Sequence, residues 1–147
     1  MSESNHFLPD QVCFPLYASS RMITRLYQPL LEDLDLTYPQ YLVLLVLWDH
    51  KKLSVSEMGS KLFLNTNTLT PLIRKMKEKK LLVKQRSNKD ERTVYITLTE
   101  KGKELQAKAS HIPKALIKSL QMSTEDLENI RDIMWRFLNN FTETKPI

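Results

Sequence analysis

The chain has 147 residues, with 22 Lys and Arg against 17 Asp and Glu, one cysteine and two glycines. Such a length suits one ordinary domain, which buries about two-thirds of the surface exposed by its unfolded chain. Gly59 and Gly102 stand 43 positions apart, so neither the P-loop nor the dinucleotide-binding glycine pattern can be written. A single thiol and three scattered histidines, His6, His50 and His111, supply neither a Cys-rich zinc site nor an intrachain disulfide. No metal and no cofactor is therefore expected. The longest apolar run, Tyr41 to Trp48, is eight residues against the roughly 18 of a membrane span, and the N-terminus lacks the pattern of a signal peptide. The expectation is a cytoplasmic protein without a membrane partner, in which Cys13 is either inert core or a reactive thiol.

In chain order, Pro9 to Leu34 reads as a long helix, because Cys13, Leu16, Tyr17, Ser20, Ile23, Tyr27, Leu30, Leu31 and Leu34 recur at helical spacing. That spacing places Cys13 on the buried stripe. Pro15 is tolerated only in a first turn, so the regular helix is expected to start at residues 12–14, with Cys13 at its N-terminus. Pro39 opens a second helix through Trp48 that is apolar almost all round, the mark of a central core element. Ser54 and Glu57 have the form of a capping box and begin a short helix to about Phe63. Asn65 begins another, carrying Leu69, Leu72, Ile73 and Met76 inward.

Two short helices in this order form a helix-turn-helix. Leu81 to Gln85 and Thr93 to Leu98 then read as two strands with a polar tip between them, which makes the whole a winged helix. Thr99 caps a helix running toward Leu120, bent or interrupted near Pro113. Ser123 with Asp126 caps a last one bearing Leu127, Ile130, Met134, Phe137, Leu138 and Phe141. The terminal stripes have more apolar surface than a small winged domain needs, and a helical dimer interface would use it. The fold class expected is mainly α with a small β-hairpin wing.

Residues 51–103 carry 14 Lys and Arg against 5 Asp and Glu, whereas the rest of the chain carries 8 against 12. A basic centre of +9 on a helix-turn-helix and hairpin is the electrostatic footprint of duplex DNA. Thr66, Asn67, Thr68 and Thr70 open the second helix of the pair, where short polar side chains reach base edges or phosphates. Arg74 and Lys75 follow one turn on, able to read guanine or hold the backbone. Arg86, Lys89 and Arg92 suit phosphate or minor-groove contact, with Asp90 placed to orient Arg92. The bland alternatives are helix capping for the Thr and Asn residues and a solvated surface for the charges.

Four segments carry a family resemblance: QVCFPLYASSR (Gln11 to Arg21), LTYPQYLVLLVLW (Leu36 to Trp48), NTNTLTPLIRKM (Asn65 to Met76) and RSNKDERTVYITLTEKG (Arg86 to Gly102). In order and over nearly the whole chain they resemble the MarR family of bacterial transcription regulators, and more narrowly its one-cysteine, organic-hydroperoxide-sensing OhrR branch. The wing pattern Asp90, Glu91, Arg92 is generic to the family; the cysteine followed four residues later by tyrosine, with TYPQY, is more specific. Pro15, two residues after the cysteine, departs from the aliphatic or other residue more usual at that position. Asn65, Thr66 and Asn67 depart from the aspartate, serine and glycine common at the recognition-helix start.

The resemblance implies one domain over residues 1–147, with dimerisation helices at 8–35 and 104–143 and a DNA-binding winged helix at 51–100. It implies a homodimeric repressor, not an enzyme, bound to a pseudo-palindromic operator. Its sensor would be Cys13, with Tyr17, Tyr27 and Tyr38 as hydrogen-bonding and packing partners, some from the second subunit. The thiolate, not the thiol, attacks a peroxide. Since the chain has no second cysteine, the sulfenic acid so formed would be resolved by a low-molecular-weight thiol, with a cyclic sulfenamide or over-oxidation as the alternatives. Other readings are a MarR-type regulator relieved by a small aromatic ligand, a thiol-based global regulator of virulence or efflux genes, and a thiol peroxidase.

Overall fold

A computed structural model describes residues 7–87 and 93–143. The chain divides into two compact units that join between Ile112 and Pro113. In the first, a 3-10 turn at Leu8–Asp10 precedes α1 (Cys13–Glu32), α2 (Tyr38–His50), β1 (Lys52–Ser54), α3 (Val55–Leu62), α4 (Thr66–Glu78), β2 (Leu82–Arg86), β3 (Val94–Leu98) and α5 (Glu100–Lys108). At the boundary begins α6 (Ile112–Leu120), followed in the second unit by α7 (Thr124–Glu143). Among the described residues no helix is long and apolar enough to cross a membrane.

Local chemistry sets the helix starts. Ser54 Oγ accepts the Glu57 N–H at 3.2 Å, while a Glu57 carboxylate oxygen accepts from the Ser54 N–H and hydroxyl, each at 2.7 Å. These bonds also hold the Glu57 carboxyl below the usual carboxylate range. The Asn65 side chain accepts the Thr68 N–H at 2.9 Å, Thr99 that of Gly102 at 3.1 Å, and Ser123 that of Asp126 at 3.1 Å. Each bond satisfies a donor that the first helical turn leaves orphaned. Of the bend or interruption expected near Pro113, the structure shows the interruption: α5 ends at Lys108 and α6 starts at Ile112. Pro113 sits in the first turn of α6, where its missing N–H removes no helical bond.

The sheet has three strands, not two, in the order β1-β3-β2 and antiparallel throughout. β1 is only three residues long, too short to show an alternating pattern in sequence, and is recognised only by pairing: buried Leu53 lies opposite buried Ile96. The β2–β3 hairpin pairs Lys84 with Ile96 and Arg86 with Val94.

As its all-round apolar character implies, α2 is the central element: Tyr41, Val43, Leu44 and Leu47 are buried in a cluster with Leu31, Met58, Leu69, Ile73, Met76 and Leu82. Truncating a fully buried member such as Leu44 removes about 2–5 kcal/mol by transfer and cavity terms. Gly102 is required by close approach, because a Cβ there would lie 2.2 Å from the Leu81 carbonyl oxygen. Its own carbonyl accepts the Trp48 indole N–H at 2.9 Å, fixing α5 against α2.

The beginning of α1 corrects one expectation. Cys13 is exposed, not buried, and Phe14 and Tyr17 beside it are exposed as well. A 20-residue helix extends about 30 Å, farther than the small core reaches, and Leu31 near its end is the only buried residue of α1. The stripe read from the sequence is real, but its first half carries no buried residue.

Candidate nucleic-acid interface and thiol site

On α4 the buried residues Leu69, Ile73 and Met76 recur at four and three residues and turn the rest of the helix outward. Asn67, Thr70 and Arg74 are exposed at i, i+3 and i+7, a single outward face; Thr68 and Lys75 lie about 100° further round, also exposed. Thr66 is the first helical residue and is exposed. Pro71 cannot donate to the Asn67 carbonyl, which is left as an acceptor beside those side chains. Arg74 is 70% exposed and only loosely associated with Glu78, at 4.0 Å, so its guanidinium is available. Asn65 is the N-cap, which is the bland reading for that residue.

Between the starts of α3 and α4 and the hairpin lies a groove of about 330 Å³. Its lining includes Ser54, Ser56, Thr66, Thr70, Lys84 and Thr93, and among the described residues no acidic side chain. Two helix N-termini, hydroxyls and an ammonium group form a surface suited to a phosphate. Arg86 is exposed at the end of β2, while Lys89, Asp90 and Arg92 lie outside the described residues. Sequence reasoning missed Lys84 and Ser56. Lys84 belongs to the same basic stretch, yet only strand register places it over the recognition helix.

The tyrosines do not gather at Cys13 within one chain. Tyr17 accepts a hydrogen bond from the Arg21 guanidinium at 2.7 Å, and that guanidinium also lies 5.5 Å from the centre of the Tyr17 ring. Tyr27 stacks on Tyr38 with centroids 4.3 Å apart, and Tyr41 tilts against Tyr27 at 5.8 Å. Burial, then the neighbouring Tyr38 and Tyr41, pushes the Tyr27 phenol up to about 12, and burial raises Tyr38 and Tyr41 as well. All three therefore stay neutral hydroxyl donors near neutrality. Tyr41 was absent from the expected site, although its i, i+3 spacing from Tyr38 places both on one side of α2. Cys13 and Tyr27 are 14 residues apart on one helix, which separates them by roughly 21 Å.

The family described as "Transcriptional regulator SarA/Rot" matches residues 25–109. The organic hydroperoxide resistance transcriptional regulator of Bacillus subtilis is 46% identical over 131 residues, 89% of each chain. This chain belongs to the MarR-type winged-helix transcription regulators. Within the family, the HTH-type transcriptional regulator SarZ of Staphylococcus epidermidis is 34% identical over 145 residues, 98% of each chain. The reduced form of AbfR bound to DNA, a protein of Staphylococcus epidermidis, superposes with a TM-score of 0.76 at 29% identity, covering 92% of this chain and 94% of that one. The helix order and three-stranded sheet found here are those of this family.

Proposed function

We propose that the chain is a homodimeric cytoplasmic repressor that binds operator DNA, senses organic hydroperoxides by oxidation of Cys13, and then releases the operator without enzymatic turnover. The observation that carries the reading is the position of the sole thiol: exposed, as the first residue of α1, on a helix whose far half holds Tyr27, stacked on Tyr38 at the start of α2. Support comes from the hydroperoxide-resistance role in the name of the Bacillus subtilis relative and from the DNA bound to AbfR.

Because roughly 21 Å of helix separates Cys13 from Tyr27, the thiol meets those phenols only where a second α1 runs in the opposite direction. Exposed Phe14 and Met22 on α1 and Ile130, Ile133 and Phe137 on α7 supply apolar surface for such a dimer. Residues 8–35 and 104–143 form its interface, and residues 51–100 read DNA through Asn67, Thr70 and Arg74, with Lys84 and Arg86 on the backbone. The paired recognition helices address half-sites about one helical turn, or a multiple of it, apart.

In the sensing step the Cys13 thiolate attacks one oxygen of the hydroperoxide. An S–O bond forms, the O–O bond breaks, and the alkoxide leaves and takes a proton to become the alcohol. The sulfenic acid then condenses with a low-molecular-weight thiol to give a mixed disulfide and water. Neutral phenols donate to the sulfur anion before the reaction, and the bulky adduct displaces them after it. Cys13→Ser protein is expected to hold its operator at hydroperoxide concentrations that release wild type, with gel-shift assays and mass spectrometry of Cys13 run on the same samples. Equal release of both proteins, or release with an unchanged Cys13 mass, refutes the mechanism.

A further inference from the structure

The end of the recognition helix is tied to the loop that joins α1 to α2, between Tyr27 and Tyr38. Lys79, the C-cap of α4, pairs through its ammonium with the Asp35 carboxylate at 3.0 Å and also donates to the Asp35 backbone carbonyl. The Lys79 side chain is only 29% exposed, so it is laid along the protein rather than extended into solvent. Its own carbonyl accepts the Lys101 ammonium at 3.0 Å, which joins the same point to the start of α5. Asp35 is held at φ 51°, in the left-handed region that a non-glycine residue enters only at a cost. Three residues on, Tyr38 opens α2 and stacks on Tyr27. A cavity of about 410 Å³ lies here, with Asp35, Tyr38 and Lys79 all in its wall, so the loop has open space into which to shift.

We propose that the Lys79–Asp35 contact is a latch that carries displacement of the Tyr27–Tyr38 pair to the C-terminal end of the recognition helix. An exposed ion pair alone would contribute little. This one combines a charge pair with a backbone hydrogen bond to a left-handed residue, so it fixes a position as well as adding attraction. Tyr38 cannot be pushed away without moving Thr37 to Asp35, and Asp35 cannot move without Lys79. Lys79 is thus a positioning residue, acting through the loop rather than on the thiol.

The inference rests on the peroxide-sensing reading above, and its test separates the two. Full-length wild type, Lys79→Met and Lys79→Arg are compared for operator binding by fluorescence anisotropy when reduced. Binding and the Cys13 mass are then followed through a titration with cumene hydroperoxide in the presence of free cysteine. Lys79→Met is expected to bind the reduced operator within about threefold of wild type and to modify Cys13 to the same extent. It should nevertheless need about tenfold more hydroperoxide for half-release, within the usual range of coupling between sites. Lys79→Arg should behave as wild type. Release of Lys79→Met in step with wild type at equal Cys13 modification overturns the latch. So does loss of reduced-state binding, which would make Lys79 a DNA contact. If wild type itself keeps its operator under hydroperoxide, the sensing reading fails and the latch falls with it.

Discussion

Tyr27 shows how a single side chain acquires its chemistry from its surroundings. Its hydroxyl is raised from 10.0 to about 12, first by burial and then by Tyr38 and Tyr41, so the unfolded chain loses this proton at lower pH than the folded one. The linked stability is fully present below pH 10 and is lost as pH rises toward 12. Urea midpoints measured between pH 9 and 12 should therefore fall steeply for wild type and less steeply for Tyr27→Phe, Tyr38 and Tyr41 retaining the remainder. An identical slope in both proteins would show that Tyr27 is not a principal titrating group. Cys13 makes the opposite point. Its helical phase was legible in the sequence, whereas its exposure was not, because periodicity reports which face a residue shares and not whether a neighbour covers that face.

Among elements, α4 shows most clearly how local sequence sets a boundary that function then uses. The Asn65 side chain satisfies the Thr68 N–H, and the turn it fixes presents Thr66, Asn67 and Thr70 outward. Asn65→Ala should lower stability by about 1 kcal/mol in chemical denaturation. It should also weaken operator binding for cognate and altered half-sites alike, since a frayed start disturbs placement before it disturbs reading. A loss confined to one base position would mean instead that Asn65 reads that base directly. The caps at Ser54, Asn65, Thr99 and Ser123 were all evident from residue type and spacing, because a cap is a contact across three residues. β1 was not evident, because its reason for existing is the pairing of Lys52, Leu53 and Ser54 with Thr97, Ile96 and Tyr95, more than 40 residues away.

At the scale of the whole molecule, charge and apolar surface divide the labour. The +9 centre predicts operator binding that weakens steeply with salt. Replacing one phosphate contact, Lys84→Gln, should reduce the log–log salt slope by about 1 while leaving the preferred sequence unchanged. An unaltered slope would remove Lys84 from the interface. On α7, Ile133 is 47% exposed. If that face is covered by a second chain, Ile133→Glu buries a carboxylate in apolar contact and should produce monomers in sedimentation velocity, together with loss of operator binding. A dimer that survives the substitution would place the interface elsewhere.

The sequence by itself determined the helix order, the helix starts, the basic hairpin, the family and the presence of a single thiol. All of these depend on composition or on contacts between near neighbours in the chain. Only the tertiary structure decided that the first half of α1 extends beyond its own core, that Tyr41 joins the Tyr27–Tyr38 pair, that Lys84 and Ser56 line the recognition groove, and that Lys79 holds Asp35. Each of those depends on segments far apart in sequence meeting at a distance and angle that no local pattern specifies.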